Sequence, residues 1–341
     1  MTAPTASQAR IRRVLVTVVK VGVSAALIAL LLSRIDATRL WHTARGASPL
    51  WLGTAILLYL GMLAASAWRW GLLLEAQGIV FRFKSLMASF LVATFFNNFL
   101  PSNIGGDVVR VTDTAAAAGS KTLAATIVLI DRGIGLLGLV LIAAVGATTG
   151  PRLIDQGPSM GAATLWAGFV GALLMAGTAV LLPKSLPRLL RPLRVVHPEW
   201  VDERLGRLGG ALDRFRQAPA ALAWCFVGAI VVQAALVAFY LAVARSMQIP
   251  VGFIELAFIV PISFIIQMMP ISVNGLGVRE ATFAFYFGRL GLPLESALLV
   301  SFVGAGLIMA VSLIGGLTYA LRPGSPSETA ALDAHQSQPY S

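Results

Sequence analysis

Long apolar stretches alternate with short polar ones along the chain, and this pattern predicts membrane-spanning helices. A helix rises about 1.5 Å per residue, so a hydrocarbon core about 30 Å thick requires about 20 apolar residues. Six stretches are long and apolar enough: residues 14–32, 50–68, 124–148, 162–182, 220–244 and 294–321. The pattern therefore predicts an all-α polytopic membrane protein with about six full transmembrane helices.

Two further apolar segments are too short or too interrupted to count as full spans. Residues 85–100 lie between Lys84 and Pro101, and a helix of that length spans only about 24 Å. Residues 253–269 contain Pro261, which interrupts a helix. A glycine-containing stretch follows each segment. We expect both to be re-entrant or broken helices, although hydropathy alone leaves a full span open.

Basic residues set the expected orientation. The stretch 183–217 is rich in arginine and fits a cytoplasmic linker with an interfacial helix, because cytoplasmic loops carry an excess of Lys and Arg. Arg10, Arg12 and Arg13 place the N-terminus on the same side. Four full spans between the N-terminus and this linker place both of them in the cytoplasm. The C-terminus is then also cytoplasmic. The loop 33–48 carries three arginines and is external in this topology, which counts against it.

The two interrupted segments share one signature. Four residues of the first recur in the second at one constant offset: Pro101 with Pro270, Gly106 with Gly275, Val109 with Val278, and Arg110 with Arg279. The same offset carries 50–68 onto 219–237 and 124–148 onto 293–317. Matching residues with matching spans on both sides indicate an internal repeat. Each half has an odd number of crossings, so the second repeat is expected to be inverted relative to the first.

These boundaries define one transmembrane domain over residues 10–322. Repeat one covers about 10–149 and repeat two about 161–322, while the polar ends 1–9 and 323–341 are expected to be disordered tails. Interrupted segments at corresponding positions of inverted repeats point to a transporter's binding site. Non-helical backbone at membrane depth is tolerated only against protein or a polar cavity. The expected site therefore lies at the two breaks.

The arginines of the repeated signature are the leading candidates for substrate binding. Arg110 and Arg279 each present a planar fork that suits phosphate oxygens. Asp131 and Arg132 lie inside an apolar run, where an ionisable residue is costly and is either functional or paired. An ion pair that holds the bundle together explains these two equally well. Arg69 closes the second span, where an interfacial anchor is the simpler interpretation.

Other residues beside the breaks complete the candidate site. Polar and glycine residues expected to contact substrate are Asn97, Asn98, Asn103, Gly105, Gly106, Asn274, Gly275 and Gly277. For each asparagine alone, helix capping or turn formation is a sufficient explanation. Residues expected to act in gating or charge coupling are Asp107, Asp131, Glu280, Pro101 and Pro270. Asp107 and Glu280 are the expected counter-charges of Arg110 and Arg279.

Composition narrows the function. The chain is 57% hydrophobic and only 12% charged, whereas a soluble domain carries about 25% charged residues. Its net charge of +11 comes mainly from basic residues between apolar runs, so it suits anionic lipid rather than nucleic acid. Cys225 is the only cysteine, and the three histidines lie outside the apolar runs. We therefore expect no metal site, no cofactor and no catalytic residue.

The chain resembles the lysylphosphatidylglycerol synthase transmembrane family, also called the flippase-like domain family. The resemblance rests on residues 95–110, 131–133 and 274–280 and extends over about 10–322. It implies lipid translocation across the bacterial inner membrane, in pathways of aminoacylated phosphatidylglycerol, glycolipids, polyprenyl lipids or hopanoids. Bifunctional members carry a soluble aminoacyl-transferase domain after the membrane part. Only the short tail 323–341 follows Arg322, so we expect no such domain here.

The leading hypothesis is a flippase-like transporter whose partners are anionic or phosphate-bearing membrane lipids. Its substrate would be a phospholipid or a polyprenyl-phosphate lipid. One alternative is a membrane-embedded transferase that uses Asp107, Asp131 or Glu280 as acid, base or metal ligand. Another is a scaffold for a lipid-modifying enzyme, docked through residues 199–216. The lipid, the direction, any coupling ion and the oligomeric state stay open.

Overall fold

A computed structural model describes most of the apolar core of the chain. The described residues are 45–99, 105–150, 161–181, 209–269, 272 and 275–321. Over these ranges the chain is almost entirely helical and contains no strand. The described residues do not include the expected span 14–32, the loop that follows it up to residue 44, both expected tails and most of the linker 183–217. The fold class is confirmed as all-helical.

The helices follow the apolar pattern closely. In chain order they are α1 (Pro49–Glu75), α2 (Phe83–Phe99), α3 (Gly105–Ala115), α4 (Lys121–Thr149), α5 (Ala162–Leu181), α6 (Pro219–Ser246), α7 (Phe253–Gln267), α8 (Val278–Arg289) and α9 (Leu294–Ala320). Within the described residues, α1, α4, α6 and α9 are long and apolar enough to cross a membrane. Four of the six expected spans are thus supported by length and composition. Helix α5 covers a fifth, but its apolar stretch, Ala162–Thr178, is shorter.

Helices α1 and α6 pack against each other and run antiparallel. The backbone N–H of Ser48, just before α1, donates to the carbonyl oxygen of Ser246 at the end of α6, over 2.7 Å. Halfway along, the rings of Tyr59 and Phe239 lie 5.6 Å apart. Near the end of α1, the Cys225 thiol at the start of α6 is 3.5 Å from the Arg69 carbonyl oxygen. The two helices therefore start at opposite ends of the bundle.

Two pairs of short helices follow the long antiparallel helices. The first helix pair, α2 with α3, comes directly after α1, and the second helix pair, α7 with α8, comes directly after α6. The members of each pair pack on one another. Because α1 and α6 are antiparallel, the two pairs begin at opposite ends of the bundle. Helix α7 continues without a break through Pro261. The predicted interruption at this proline is therefore wrong.

Each helix pair also packs against a long helix of the other half of the chain. Gly146 of α4 lies against the backbone of Ala257 and Phe258 in α7. Gly315 of α9 lies against the carbonyl oxygen of Leu91 in α2. A Cβ at either glycine would collide with backbone, so the absence of a side chain permits both contacts. The helix pairs are thereby held inside the bundle.

The described end of the linker packs on the bundle. Residues 209–217 are helical, and Ala211, Leu212 and Phe215 are buried. The Gln77 side-chain amide, just after α1, donates to the Ala211 carbonyl oxygen over 3.1 Å. This part of the predicted interfacial helix therefore packs against the end of α1.

Candidate functional site

A buried aspartate joins three helices beside the first helix pair. Asp131 of α4 is only 2% exposed. It accepts a hydrogen bond from Arg69 Nε of α1 on Oδ1 and one from Arg110 Nη2 of α3 on Oδ2, both over 2.8 Å. Both arginines are themselves buried. Arg69 is therefore part of an internal ion-pair network, and the interfacial-anchor interpretation does not hold for it.

Two aromatic rings hold the guanidinium of Arg110 in place. Its Cζ lies 4.5 Å from the Trp70 ring centroid and 4.9 Å from that of Phe90. A cation within about 6 Å of an aromatic face is attracted by the ring quadrupole, and more strongly when water is excluded. Trp70 of α1 and Phe90 of α2 therefore fix the direction in which Arg110 presents its remaining N–H groups.

Asp107 pairs mainly with Arg132 and not with Arg110, the expected partner. Its Oδ2 forms an ion pair with Arg132 Nε, whereas its Oδ1 is 3.9 Å from Arg110 Nη1. The prediction that Asp107 is the counter-charge of Arg110 thus needs correction, because Asp131 makes the closer contact. Asp131 and Arg132 do not pair with each other; successive residues on a helix point about 100° apart, and each faces a different neighbour.

The cluster around Asp131, which we call the first arginine cluster, carries an excess of positive charge. Within the part of the chain that the structure describes, Arg69 and Arg110 share the single carboxylate of Asp131, so this buried group has one positive charge more than it has negative charges, while Arg132 pairs with Asp107 at its edge. Arg69 Nη1 and Arg110 Nε are buried and have no hydrogen-bond partner among the described residues. Buried N–H groups ordinarily find acceptors. The cluster therefore has donors and charge to offer to an anion.

The second arginine cluster, around Arg279 of α8, pairs one arginine with one carboxylate. Arg279 Nη2 is 2.7 Å from Glu280 Oε1, and Arg279 Nε donates to Ser301 Oγ of α9 over 2.8 Å. Ser301 Oγ donates in turn to the same Glu280 oxygen over 2.8 Å. The Gly277 N–H donates to Glu280 Oε2 over 2.6 Å, a capping bond at the start of α8. Glu280 is the counter-charge of Arg279, as its neighbouring position predicts.

The glycines of the repeated signature allow close approach within each helix pair. The Gly106 N–H donates to Asn97 Oδ1 over 2.8 Å, and a Cβ at Gly106 would collide with the Ala93 carbonyl oxygen. Gly275 has φ of +73° and lies against the Gln267 side chain. In each pair a polar side chain near the end of the first helix contacts the glycine, which lies in the first turn of α3 in one pair and just before α8 in the other. Asn97 acts here as a cap, the simpler interpretation given to it.

The remaining candidates are placed as follows. Asn98 and Gly105 lie at the facing ends of α2 and α3, and Gly277 is the N-cap of α8 with φ of +83°. Pro101, Asn103, Pro270 and Asn274 lie outside the described residues. The substrate-binding and gating roles assigned to all these residues stay predictions. Among the described residues, no group of three or more His, Cys, Asp or Glu side chains could hold a metal ion.

Sequence reasoning missed Trp70, Phe90 and Ser301. Tryptophans near helix ends are common in the interfacial aromatic belt of membrane proteins, but Trp70 is fully buried against Arg110. Hydropathy cannot separate these two cases, since both place a tryptophan near a helix end. Ser301 could have been found from the repeat. It occupies the position in the second repeat that corresponds to Arg132 in the first.

The fold and the buried ion pairs define a multi-pass α-helical membrane protein with arginine clusters beside two pairs of short helices. A family model described as the lysylphosphatidylglycerol synthase TM region matches residues 17–316. The chain belongs to this family, which confirms the resemblance seen in the sequence and relates the protein to lipid modification or flipping. No curated protein matches the chain significantly.

Proposed function

We propose that this protein is a flippase-like transporter that moves a lipid with a phosphate-bearing head group across the bacterial inner membrane. The head group enters a polar path between two inverted repeats, and the acyl or prenyl tails stay in the bilayer. The observation that carries the proposal is the first arginine cluster. Among the residues that the structure describes, Arg69 and Arg110 share one carboxylate, and two of their buried N–H groups have no hydrogen-bond partner, inside a bundle of long apolar helices.

The helix arrangement supports an inverted repeat. Helices α1 and α6, which the offset of the repeat aligns, run antiparallel. Gly146 and Gly315 are separated by the same offset, and each makes a close contact with a short helix of the other half. Inverted repeats that enclose a site near the membrane midplane suit alternating access, in which one half moves against the other. The two helix pairs are the proposed gates.

The charge of the first arginine cluster supports a phosphate as the transported group. Guanidinium groups donate several N–H bonds in a fixed plane and match phosphate oxygens. Buried charge is costly in a membrane unless it is paired or has a function. An anionic head group would complete the charge balance and accept from Arg69 Nη1 and Arg110 Nε.

Transport fits the site better than catalysis does. Asp107, Asp131 and Glu280, the carboxylates that a transferase would need, are all engaged in ion pairs with arginine. A general acid or base must reach the substrate, and a carboxylate that is already bound to an arginine is not free to do so.

Translocation in proteoliposomes tests the proposal. Purified protein is reconstituted with tail-labelled anionic phospholipid, and the label that becomes inaccessible to a membrane-impermeant quencher is followed over time. Arg110→Ala removes a positioned guanidinium from the path, so we expect translocation to fall at least tenfold, as for loss of a hydrogen bond to a charged group. Arg110→Lys keeps the charge but loses the planar fork, and an intermediate rate is expected.

Arg245→Ala is the matched control, since Arg245 is exposed in the last turn of α6. It should leave the rate unchanged. Unaltered translocation by a folded Arg110→Ala variant, or none by the wild-type protein with any anionic lipid, would refute the proposed function.

A further inference from the structure

A single polar side chain interrupts the apolar middle of α6. Between Phe226 and Phe239, Gln233 is the only residue that is neither apolar nor glycine. It is 8% exposed. A polar side chain at this depth in a long apolar helix is costly, and it ordinarily serves either a contact between helices or a function. The groups around Gln233 decide between these two roles.

Gln233 faces α4 one helical turn from Asp131. Its Nε2 donates to the Gly135 carbonyl oxygen over 3.4 Å, and Gly135 lies one turn after Asp131 on the same face of α4. One turn away on both helices, a Cβ at Gly138 would lie 3.0 Å from the Ala229 Cβ. These two contacts hold this face of α6 against the face of α4 that carries Asp131.

The Arg69 side chain lies against the same part of α4. A Cβ at Gly135 would come within 3.4 Å of Arg69 Nη2 and 3.5 Å of Arg69 Nη1. The stem of this arginine packs on α6, because a Cβ at Gly228 would lie 3.6 Å from Arg69 Cβ and Cγ. Arg69 and Gln233 therefore approach Gly135 from α1 and α6. Helix α6 belongs to repeat two, so repeat two contributes a polar side chain beside the first arginine cluster.

The two side chains carry complementary groups that other contacts do not use. Arg69 Nη1 is a donor and Gln233 Oε1 is an acceptor, and neither has a hydrogen-bond partner within the described residues. The bond from Gln233 to Gly135 is long for a hydrogen bond between N–H and oxygen. A contact between helices therefore accounts poorly for this buried amide. A carboxylate of the same shape would instead supply the negative charge that Arg69 and Arg110 lack when they share Asp131.

We propose that Gln233 determines the charge preference of the first arginine cluster; this rests on the proposed function. As an uncharged amide, Gln233 offers an acceptor beside Arg69 without neutralising it, so the positive charge stays available to an anionic head group. Gln233→Glu would place the missing negative charge on the protein itself and compete with that head group. Gln233 is thus a specificity-determining residue that repeat two contributes to a cluster built from repeat one.

Competitive binding of two lipids that differ in net charge tests this role. Purified protein is incubated with equal amounts of phosphatidylethanol, which carries one negative charge, and phosphatidylcholine, which is zwitterionic, with the same acyl chains. Native mass spectrometry gives the ratio of the two lipids retained. We expect the wild-type protein to prefer phosphatidylethanol and Gln233→Glu to lower that preference about tenfold, because a negative charge beside the two arginines opposes a bound anion. Gln233→Leu is uncharged and should keep the preference.

Gln248→Glu is the matched control. It adds the same charge at an exposed position just beyond α6, at the opposite end of this helix from the contact between Cys225 and Arg69. It should keep the wild-type preference. Thermal unfolding in detergent gives a second measurement: Gln233→Glu should unfold at or above the wild-type temperature, and Arg69→Leu should abolish this tolerance. A purely structural glutamine would instead make both Gln233 variants less stable and leave the preference unchanged.

The outcomes separate the role of Gln233 from the proposed function. A folded Gln233→Glu protein that keeps the preference would overturn this role and leave transport standing. So would an equal loss of preference in Gln233→Leu, or a Gln233→Glu protein that does not fold, since two arginines that share one carboxylate should tolerate a second. If the preference falls as expected but wild-type protein moves neither lipid in proteoliposomes, the role of Gln233 stands and transport falls. Equal retention of both lipids by the wild-type protein would overturn both.

Discussion

The two helix pairs carry the same Pro, Gly, Val and Arg signature but balance their arginine in different ways. Arg110 takes its carboxylate from Asp131, on the following long helix, and shares it with Arg69. Arg279 takes its carboxylate from the adjacent residue, Glu280, and shares it with Ser301. The repeat therefore fixes where a cation lies on the second short helix, while the neighbouring helices decide whether its charge is fully used.

This difference assigns different roles to the two pairs. In the second arginine cluster every charge has one opposite charge, so the cluster is suited to holding α8 against α9. In the first, two buried guanidinium groups share one buried carboxylate, which leaves capacity for an external anion. We therefore expect substitutions to affect stability and transport unequally in the two pairs.

The largest effect is expected from removal of the shared carboxylate. Asp131→Ala leaves Arg69 and Arg110 buried without their counter-charge. Breaking one buried pair by removal of one partner costs about 3–5 kcal/mol, and here two cations are affected. We expect Asp131→Ala to destabilise the protein by more than Glu280→Ala, which orphans Arg279 alone. Thermal unfolding in detergent measures both.

Glu75→Ala is the control for these two variants, because Glu75 is exposed at the end of α1. It should unfold at the wild-type temperature. Equal losses for Asp131→Ala and Glu280→Ala would contradict the view that only the first cluster has an excess of cations.

Removal of the signature arginine should destabilise the protein more in the second helix pair than in the first. This order is the reverse of the one expected for removal of the carboxylate. Arg279→Ala leaves Glu280, which is 0% exposed, without a cation, so a loss of about 3–5 kcal/mol is expected. Arg110→Ala leaves Asp131 paired with Arg69, so a smaller loss of about 1–2 kcal/mol is expected. The same unfolding measurement distinguishes them.

The double variants sharpen this test. Arg279→Ala with Glu280→Ala removes both charges and should be more stable than Arg279→Ala alone. Arg110→Ala with Asp131→Ala leaves Arg69 unpaired and should be less stable than Arg110→Ala alone. The same sign in both pairs would mean that Arg69 does not share Asp131 in the membrane-embedded protein.

Features that depend on neighbouring residues could be predicted from the sequence, whereas contacts between residues far apart in the sequence could not. Helices α1, α4, α6 and α9 were predicted because a mainly apolar stretch of about 20 residues is a local signal. The Arg279 to Glu280 pair was predicted because its members are neighbours. The Arg69 to Asp131 contact joins two helices that are far apart in the sequence, and no local pattern indicates which of several carboxylates a buried arginine will meet.

Burial was harder to predict than helix position. Trp70 lies near a helix end, where interfacial tryptophans are common, yet its ring is fully buried against Arg110. Asp107 is close in sequence to Arg110, but α3 directs its carboxylate mainly to Arg132. In both cases the packing of α1, α3 and α4 decides the contact, and that packing is a property of the whole bundle.

A smaller effect is expected from the glycines of the signature, and it too should differ between the pairs. In Gly106→Ala the new Cβ meets the Ala93 carbonyl oxygen, which belongs to the backbone and cannot rotate away. In Gly275→Ala it meets the Gln267 side chain, which can move, and the left-handed backbone adds strain of about 1–2 kcal/mol. We expect a loss of about 1–3 kcal/mol in each case.

Rescue by a second substitution separates the two causes. Gln267→Ala should recover part of the stability lost in Gly275→Ala, because it removes the obstructing side chain. Asn97→Ala should recover none of the loss in Gly106→Ala, since the Ala93 carbonyl remains and the bond from the Gly106 N–H is lost. If Asn97→Ala does rescue, the close approach of α2 and α3 is less rigid than the contact with Ala93 requires.

The smallest effect is expected at the edge of the first arginine cluster. Asp107→Asn keeps the shape of the side chain and weakens its ion pair with Arg132, whose side chain is 40% exposed. Exposed pairs contribute about 0–1 kcal/mol, so unfolding should shift little, whereas the isosteric Asp131→Asn should cost several times more. Asp107→Asn also adds to the net positive charge of the cluster, and binding of an anionic lipid should strengthen or stay unchanged. A loss of stability as large as that of Asp131→Asn would show that Arg132 depends on Asp107 as a buried cation would. The excess positive charge would then involve Arg132 beside Asp107 as well as the two arginines that share Asp131.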